Sequence, residues 1–211
     1  MDESVRKQVS EDQRPRLGSS PGQALPSTRV SPLLVAWFAA CAVLVVAGAA
    51  KLRKPDPTVG ALRGAGRPAG HGAVRALAVG EIVLGSAAIL TGAPIAALAV
   101  AVVYLGFAGF VAASLRSGRM VQTCGCFGSP DVPATGGHVA ISVVSAAVGL
   151  AAAMATPATL AEVLDEGLAG ATLLLLSAVA TFEVVILLAV QPLVRAAGLG
   201  GRRTAREPAA W

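Results

Sequence analysis

Residues 76–115 read ALAVGEIVLGSAAILTGAPIAALAVAVVYLGFAGFVAASL, and Glu81 is the only charged side chain in this stretch. A helix needs about 20 apolar residues to cross the hydrocarbon core of a bilayer, so the stretch is long enough for two crossings. Thr91-Gly92-Ala93-Pro94 lies near its middle and has the composition of a tight turn. The stretch therefore predicts an antiparallel hairpin of two transmembrane helices.

Three further apolar runs flank this hairpin. Residues 30–50 carry no charge, and the basic sequence from Lys51 to Pro55 closes the run at a residue that discourages helix continuation. A second run extends from 138 to 161, and a third from 168 to 190 is interrupted only by Glu183. Five transmembrane helices are predicted, at about 32–50, 73–91, 94–115, 138–156 and 168–190.

The composition supports the same fold class. Hydrophobic residues make up 55% of the chain and charged residues 14%, whereas soluble domains carry about a quarter charged residues. A soluble helical bundle would show a polar face on each helix, and a β-barrel would show short alternating segments. Neither pattern is present, so we predict an all-α, multi-pass bundle in the cell membrane, with the lipid bilayer as its first partner.

The regions outside the spans are polar. Residues 1–31 predict a disordered tail, residues 32–192 the transmembrane domain, and residues 193–211 a basic tail. The Pro- and Gly-rich residues 54–72 predict a surface loop, and the acidic side chains around 162–166 predict another. The net charge of +5 arises from cations that flank apolar spans without an aromatic platform, which argues against nucleic acid as a partner.

A cysteine segment, Cys124-Gly125-Cys126-Phe127-Gly128, follows the third predicted span. Cys124 and Cys126 can close a small disulfide ring because Gly125 supplies the backbone freedom that such a ring needs. Strained, exposed disulfides are the ones that exchange readily. Nearby arginines and the start of the fourth span favour a thiolate.

Three interpretations of this segment stay open from its residues alone. The cysteines either exchange thiols and disulfides, form a structural disulfide, or bind a soft metal. A zinc site needs two more ligands, and His71 and His138 are the two histidines of the chain. We predict no metal.

Counting the five spans assigns each loop to one side of the membrane. The cysteine segment then shares its side with Lys51, Glu81 and His138. Charged groups inside a membrane tend to face the bundle interior with a partner, so we predict a Lys51–Glu81 pair; the alternative is that Glu81 extends to the interface.

Position along the spans suggests roles for three other side chains. Glu183 is expected to be buried within the last span, without an assigned partner. Cys41 is expected to pack as a small apolar residue. His138 is interpreted as a helix cap or as a group that tunes the cysteines.

Several of these residues together resemble the MauE family of membrane proteins, which is related to the DoxX-like proteins. The resemblance is carried by the cysteine segment between a third span and a His-containing fourth, by Gly48-Ala-Ala-Lys51-Leu52 at the end of the first span, and by Glu81 within Glu-Ile-Val-Leu-Gly. It covers roughly residues 32–155.

The resemblance implies a four-helix core followed by a C-terminal helix. It also implies action with a thioredoxin-like partner in maturing the disulfide-rich small subunit of methylamine dehydrogenase. A membrane quinone is a candidate acceptor for the electrons, but the sequence shows neither a quinone-site motif nor a thioredoxin-type Cys-X-X-Cys motif. Cys124 and Cys126 would be the redox pair, supported by Gly125, Phe127, Gly128, Lys51, Glu81 and His138. The alternative is a non-enzymatic membrane scaffold or assembly factor with a structural Cys-Gly-Cys disulfide. A small-molecule carrier is less favoured, because no internal repeat is visible.

The sidedness of the cysteine segment yields two opposed expectations. Its side of the membrane carries 12 of the 17 Lys and Arg residues, which places it in the cytoplasm by the positive-inside rule. Disulfide formation, however, belongs to an oxidising compartment outside the cytoplasm.

Overall fold

A computed structural model describes residues 31–116 and 135–189 of the chain. These residues form seven helices and no strand: α1 (Pro32–Arg53), α2 (Asp56–Gly64), α3 (His71–Thr91), α4 (Pro94–Arg116), α5 (Gly136–Ala155), α6 (Leu160–Asp165) and α7 (Leu168–Ala189). Helices α1, α3, α4, α5 and α7 are each long and apolar enough to cross a membrane. The predicted all-α bundle with five spans is therefore confirmed.

Helix α1 is the central element of the bundle. It packs against α3, α5 and α7, while α4 packs mainly against α5. Half of its apolar window is buried, compared with about a fifth to a third in the other four spans. Trp37, Cys41 and Leu44 on α1 are almost completely buried. Helix α1 is therefore the most buried span, and three of the other four spans pack directly against it.

Helices α1 and α3 cross at two glycines. A Cβ atom on Gly48 would lie 2.7 Å from the carbonyl oxygen of Ala78, and one on Gly85 would lie 2.8 Å from that of Cys41. Small residues let helix backbones approach closely, which strengthens van der Waals packing where lipid provides no hydrophobic drive. The crossing fixes which residues of α1 face α3.

The predicted turn at Thr91–Pro94 connects α3 to α4. Gly92 ends α3 with a left-handed backbone (φ +58°), and its N–H donates to the carbonyl of Ala88. Glycine adopts this conformation without strain, as is common just past a helix C-terminus. The two spans of the opening stretch therefore form the hairpin that its composition predicted.

Two short helices occupy segments that the sequence predicted as loops. In α2, Pro57 lies in the first turn, where a helix tolerates proline, and Val59 and Ala61 are buried. The loop prediction was wrong at these residues because proline in the first turn and glycine at the end of a helix do not break it.

Helix α6 replaces the predicted acidic loop. The carboxylate of Glu162 accepts a hydrogen bond from the N–H of Thr159 (2.7 Å), and the N–H of Glu162 donates to the Thr159 hydroxyl (3.2 Å). This capping box starts the helix, and its hydrogen bonds lower the pKa of Glu162 below the ordinary value. The acidic side chain therefore starts a helix here.

Candidate functional site

A buried ion pair joins α1 to α3. The ammonium of Lys51 donates to both carboxylate oxygens of Glu81, at 2.9 and 2.7 Å. Lys51 is 3% exposed and Glu81 is 2% exposed. The predicted pair is therefore present, and the alternative in which Glu81 extends to the interface is wrong.

The glycine crossing explains why these two side chains meet. Lys51 follows Gly48 by three residues, which places both on the same face of α1. The Cβ atom of Glu81 lies 3.2 Å from the position that a Cβ atom on Gly48 would take. Glu81 lies ten residues after His71, the start of α3, and is therefore near the middle of this 21-residue helix.

Helix α4 covers the ion pair with two aromatic rings. The Lys51 ammonium lies 5.3 Å from the centre of the Phe107 ring, within the range of a cation–π contact. Tyr104 packs edge-to-face on Phe107, with the ring centres 6.2 Å apart. The Tyr104 hydroxyl donates to the carbonyl of Ala40 at 2.6 Å, which fixes α4 against α1.

His138 lies at the start of α5 and is 4% exposed. The N–H of Thr135, the residue that caps α5, donates to its Nδ1 at 3.3 Å, and the Thr135 hydroxyl lies 3.0 Å from the same atom. The side chain therefore reaches back to the helix cap, as one of the two interpretations expected. Its Nε2 has no hydrogen-bond partner in the described part of the chain.

A small cavity of about 40 Å³ connects His138 with the ion pair. Lys51 of α1, Tyr104 of α4, and His138 and Ser142 of α5 supply its polar lining. The rest of the lining is apolar and includes Leu188 of α7, so four spans contribute to the walls of this partly open cavity. The structure thus brings together Lys51, Glu81 and His138, which span counting had placed on one side of the membrane.

The cysteine segment lies outside the described residues. Cys124, Gly125, Cys126, Phe127 and Gly128 belong to residues 117–134, which connect the end of α4 to the cap of α5. Their assignment as a redox pair with supporting residues stays a prediction.

Two other sequence interpretations have definite outcomes. Glu183 is exposed on α7, so its expected burial is wrong. The buried face of α7 lies elsewhere on the helix, where Ser177 donates to the carbonyl of Val35 on α1 at 3.3 Å. Cys41 is fully buried in α1, as its interpretation as a packing residue expected.

Sequence reasoning did not single out Tyr104 and Phe107. A signal was available, because Tyr104 is the only tyrosine in a chain with 4% aromatic residues and Phe107 follows it by one helical turn. Aromatic residues three apart on a helix share a face, so the pair marked the side of α4 that packs inward.

The described residues contain no group of three or more His, Cys, Asp or Glu side chains that could hold a metal ion. The second histidine, His71, lies on the outside of the bundle. Its Nε2 is 2.6 Å from a carboxylate oxygen of Asp56, and both side chains are exposed. His71 and His138 therefore have separate surroundings.

Comparison with known families identifies the bundle. The family model described as methylamine utilisation protein MauE matches residues 28–159. This range contains α1 to α5, and with them the glycine crossing, the Lys51–Glu81 pair and His138. No curated protein and no solved structure matches the chain. The match covers more than half of the chain and agrees with the five apolar spans, and the chain therefore belongs to the MauE family of multi-pass membrane proteins.

Proposed function

We propose that this protein is a membrane component of thiol–disulfide exchange, in which Cys124 and Cys126 form the exchanging pair. The observation that carries the proposal is the buried group formed by Lys51, Glu81 and His138. His138 lies four residues after the cysteine-containing connection ends at residue 134, and a buried ion pair together with a buried histidine is unusual in a purely structural membrane bundle.

The proposed exchange proceeds in two steps. A thiolate of the partner attacks one sulfur of the Cys124–Cys126 disulfide, and the other sulfur leaves as a thiolate. The partner's second thiolate then attacks the partner's own sulfur in the mixed disulfide, which forms the partner's disulfide and releases the second cysteine as a thiolate. The two released thiolates take up the protons that the partner's thiols lost on ionisation, so Cys124 and Cys126 end as a dithiol. Two electrons and two protons are thereby transferred to the pair.

Renewal of the disulfide needs a two-electron acceptor. A membrane quinone is the candidate, because it becomes a quinol by taking up the two electrons and two protons that the dithiol releases. The immediate partner would be a thioredoxin-like protein. We place the protein in the cell membrane, with the cysteine segment on the oxidising side.

The family supplies the proposed biological setting. Its description names methylamine utilisation, and the resemblance noted from the sequence implies a role in maturing a disulfide-rich dehydrogenase subunit. We propose that the protein serves the maturation of such a partner in methylamine metabolism.

A second candidate is a non-enzymatic scaffold or assembly factor, in which Cys124 and Cys126 form a structural disulfide. The close α1–α3 crossing favours it, because a rigid bundle with a buried ion pair also suits a fixed docking platform. In that case a variant lacking both cysteines still binds its partner but is less stable.

Trapping of mixed disulfides distinguishes the two candidates. Cys124→Ser and Cys126→Ser are made separately in a Cys41→Ala background, so that each variant keeps one thiol. The exchange proposal expects one of the two variants to accumulate a disulfide-linked adduct with a thioredoxin-like protein. The Cys41→Ala protein itself is the control and should accumulate none. The proposal fails if neither variant captures a partner while both support maturation of the partner.

A further inference from the structure

A groove runs along the outer face of α4, beside the turn that follows α2. Its volume is about 520 Å³, within the range of about 300–1,000 Å³ that ligand sites occupy. Residues of α4 between Leu105 and Ser114 form one wall, and residues 62–67 form the other. Gly106 and Gly109 leave the α4 wall open, since a Cβ atom on either would meet no described atom within 4 Å. The groove shares no lining residue with the cavity at the ion pair.

The dimensions of this groove match one leaflet of the membrane. Helix α1 ends and α3 begins on the same side of the bundle, so residues 54–70 lie at that surface, and α4 ends there at Arg116. The wall from Leu105 to Ser114 has a length of about 14 Å at 1.5 Å per residue. Half of the hydrocarbon core is about 15 Å thick. The groove therefore extends from the membrane surface to near the midplane, which is the depth that one acyl chain of a lipid occupies.

A helix C-cap holds Arg67 at the surface side of the groove. Gly66 has a left-handed backbone (φ +78°), and the N–H of Arg67 donates to the carbonyl of Leu62 at 2.9 Å. These are the features of a Schellman motif, which ends α2 and places Arg67 next to Leu62 in the groove wall. The Arg67 side chain is exposed, and no described residue forms a hydrogen bond or ion pair with its guanidinium. Arg67 is therefore available to a ligand.

The connection that carries Arg67 is strongly basic. Its one carboxylate within residues 53–75, Asp56, lies 2.6 Å from the Nε2 of His71. Basic pockets between transmembrane helices bind anionic lipid head groups, and a guanidinium matches the geometry of a phosphate. The charge of this surface therefore favours a negatively charged head group. The cationic side chains of residues 53–75 are Arg53, Lys54, Arg63, Arg67 and Arg75.

We propose that the groove binds one anionic glycerophospholipid of the surrounding membrane. The Arg67 guanidinium donates to its phosphate, and one acyl chain lies along Gly106 and Gly109. A transmembrane helix of another protein is the competing occupant, because small residues also suit helix contacts. Such a helix would bring no phosphate to Arg67, so the basic end of the groove favours the lipid. The site does not depend on the chemistry of the cysteines.

Native mass spectrometry of the full-length protein in detergent micelles tests the role of the head group. Phosphatidylglycerol and phosphatidylcholine with identical acyl chains are added separately, and the fraction of protein that carries one lipid is measured. We expect tighter binding of phosphatidylglycerol, and Arg67→Gln should weaken that binding about five-fold. Arg75→Gln removes an exposed cation at the same surface but outside the groove, so its effect should stay below about two-fold. Equal binding of the two lipids, or equal weakening by the two substitutions, overturns the proposal.

Filling the groove tests where the acyl chain lies. Gly109→Leu places a side chain in the groove, whereas Gly80→Leu adds the same bulk on the exposed face of α3, where a Cβ atom also meets no described atom within 4 Å. We expect phosphatidylglycerol binding to be lost in the first variant and kept in the second. Undiminished binding in a folded Gly109→Leu protein contradicts the site.

Photocrosslinking locates the lipid on the unaltered protein and decides the question if Gly109→Leu does not fold. Phosphatidylglycerol with a photoreactive group in one acyl chain is bound in micelles, and the crosslinked peptides are sequenced. We expect the adducts to concentrate on residues 105–114 of α4, and excess unlabelled phosphatidylglycerol should remove them. Adducts spread evenly over the five spans, or a protein dimer that forms in place of the lipid-bound monomer, overturn the proposal.

Discussion

Two glutamates lie within apolar spans of this protein, and their surroundings differ completely. Glu81 is buried where α1 and α3 cross at glycines, and Lys51 neutralises it with two short hydrogen bonds. Glu183 is exposed on α7, and no ion pair of the described residues includes it. A charge within a span therefore indicates a site only when the packing around it supplies a partner. The α1–α3 crossing does so, and the exposed face of α7 does not.

The largest expected effect comes from breaking the ion pair. Lys51→Met leaves the Glu81 carboxylate buried without its counter-ion, and Glu81→Gln does the same to the ammonium. Removing one partner of a buried pair costs about 3–5 kcal/mol of folding free energy. Reversible unfolding in detergent or lipid measures the loss, and a loss below about 1 kcal/mol would show that water already reaches the pair.

The glycine crossing is expected to be the next most sensitive feature. Gly48→Val places side-chain atoms against the backbone of Ala78, so α1 and α3 must separate. Overpacking typically costs about 1–3 kcal/mol, and separation also lengthens the Lys51–Glu81 hydrogen bonds. Gly106→Val on the exposed side of α4 is the matched control, because a Cβ atom there meets no atom within 4 Å. Equal losses of stability in the two variants would contradict the close crossing.

Replacing two glycines that have the same backbone angle compares the packing of the turns beside α3 and α7. Gly92, after α3, and Gly167, before α7, both have φ +58°. A Cβ atom on Gly92 would lie 2.5 Å from the Pro157 carbonyl oxygen, whereas one on Gly167 would meet no described atom within 4 Å. Gly167→Ala should cost about 1–2 kcal/mol from backbone strain alone. Gly92→Ala should cost more in the same unfolding assay, and a smaller loss than that of Gly167→Ala would contradict the contact.

The smallest expected effect is at Glu183. Glu183→Gln removes a charge that makes no described ion pair, so the free energy of unfolding should change by less than about 0.5 kcal/mol. The same unfolding assay compares it with Glu81→Gln. A loss as large as that of Glu81→Gln would show that α7 docks against a partner that neutralises Glu183.

Most of the architecture was predictable from the sequence because the apolar runs are long and their breaks are sharp. The ion pair was predictable too, since charged groups inside a membrane tend to be paired and span counting placed Lys51 and Glu81 toward the same side. The exposure of Glu183 was not predictable, because α7 is apolar around its circumference and carries no pattern that separates a packed face from a lipid face. The cavity beside His138 depends on side chains from four spans, and no local sequence pattern encodes such an enclosure.

Part of the sequence interpretation also failed for a local reason. Proline and acidic side chains predict loops at 54–72 and 162–166, yet Pro57 and Glu162 lie in first turns, where helices accept them. The sequence shows clearly where a span ends. It does not show whether a loop or a short helix follows.

A double-mutant cycle on Lys51 and Glu81 tests most directly whether these residues act as one buried unit. The free energy of unfolding is measured in one lipid or detergent system for the unaltered protein, Lys51→Met, Glu81→Leu and the combined variant. Because the combined variant leaves no unpaired charge, we predict that it is more stable than the sum of the single losses implies, with a coupling of at least about 3 kcal/mol, the cost of one unpaired buried charge. Losses that add to within about 0.5 kcal/mol would contradict the pair as the centre of this membrane bundle.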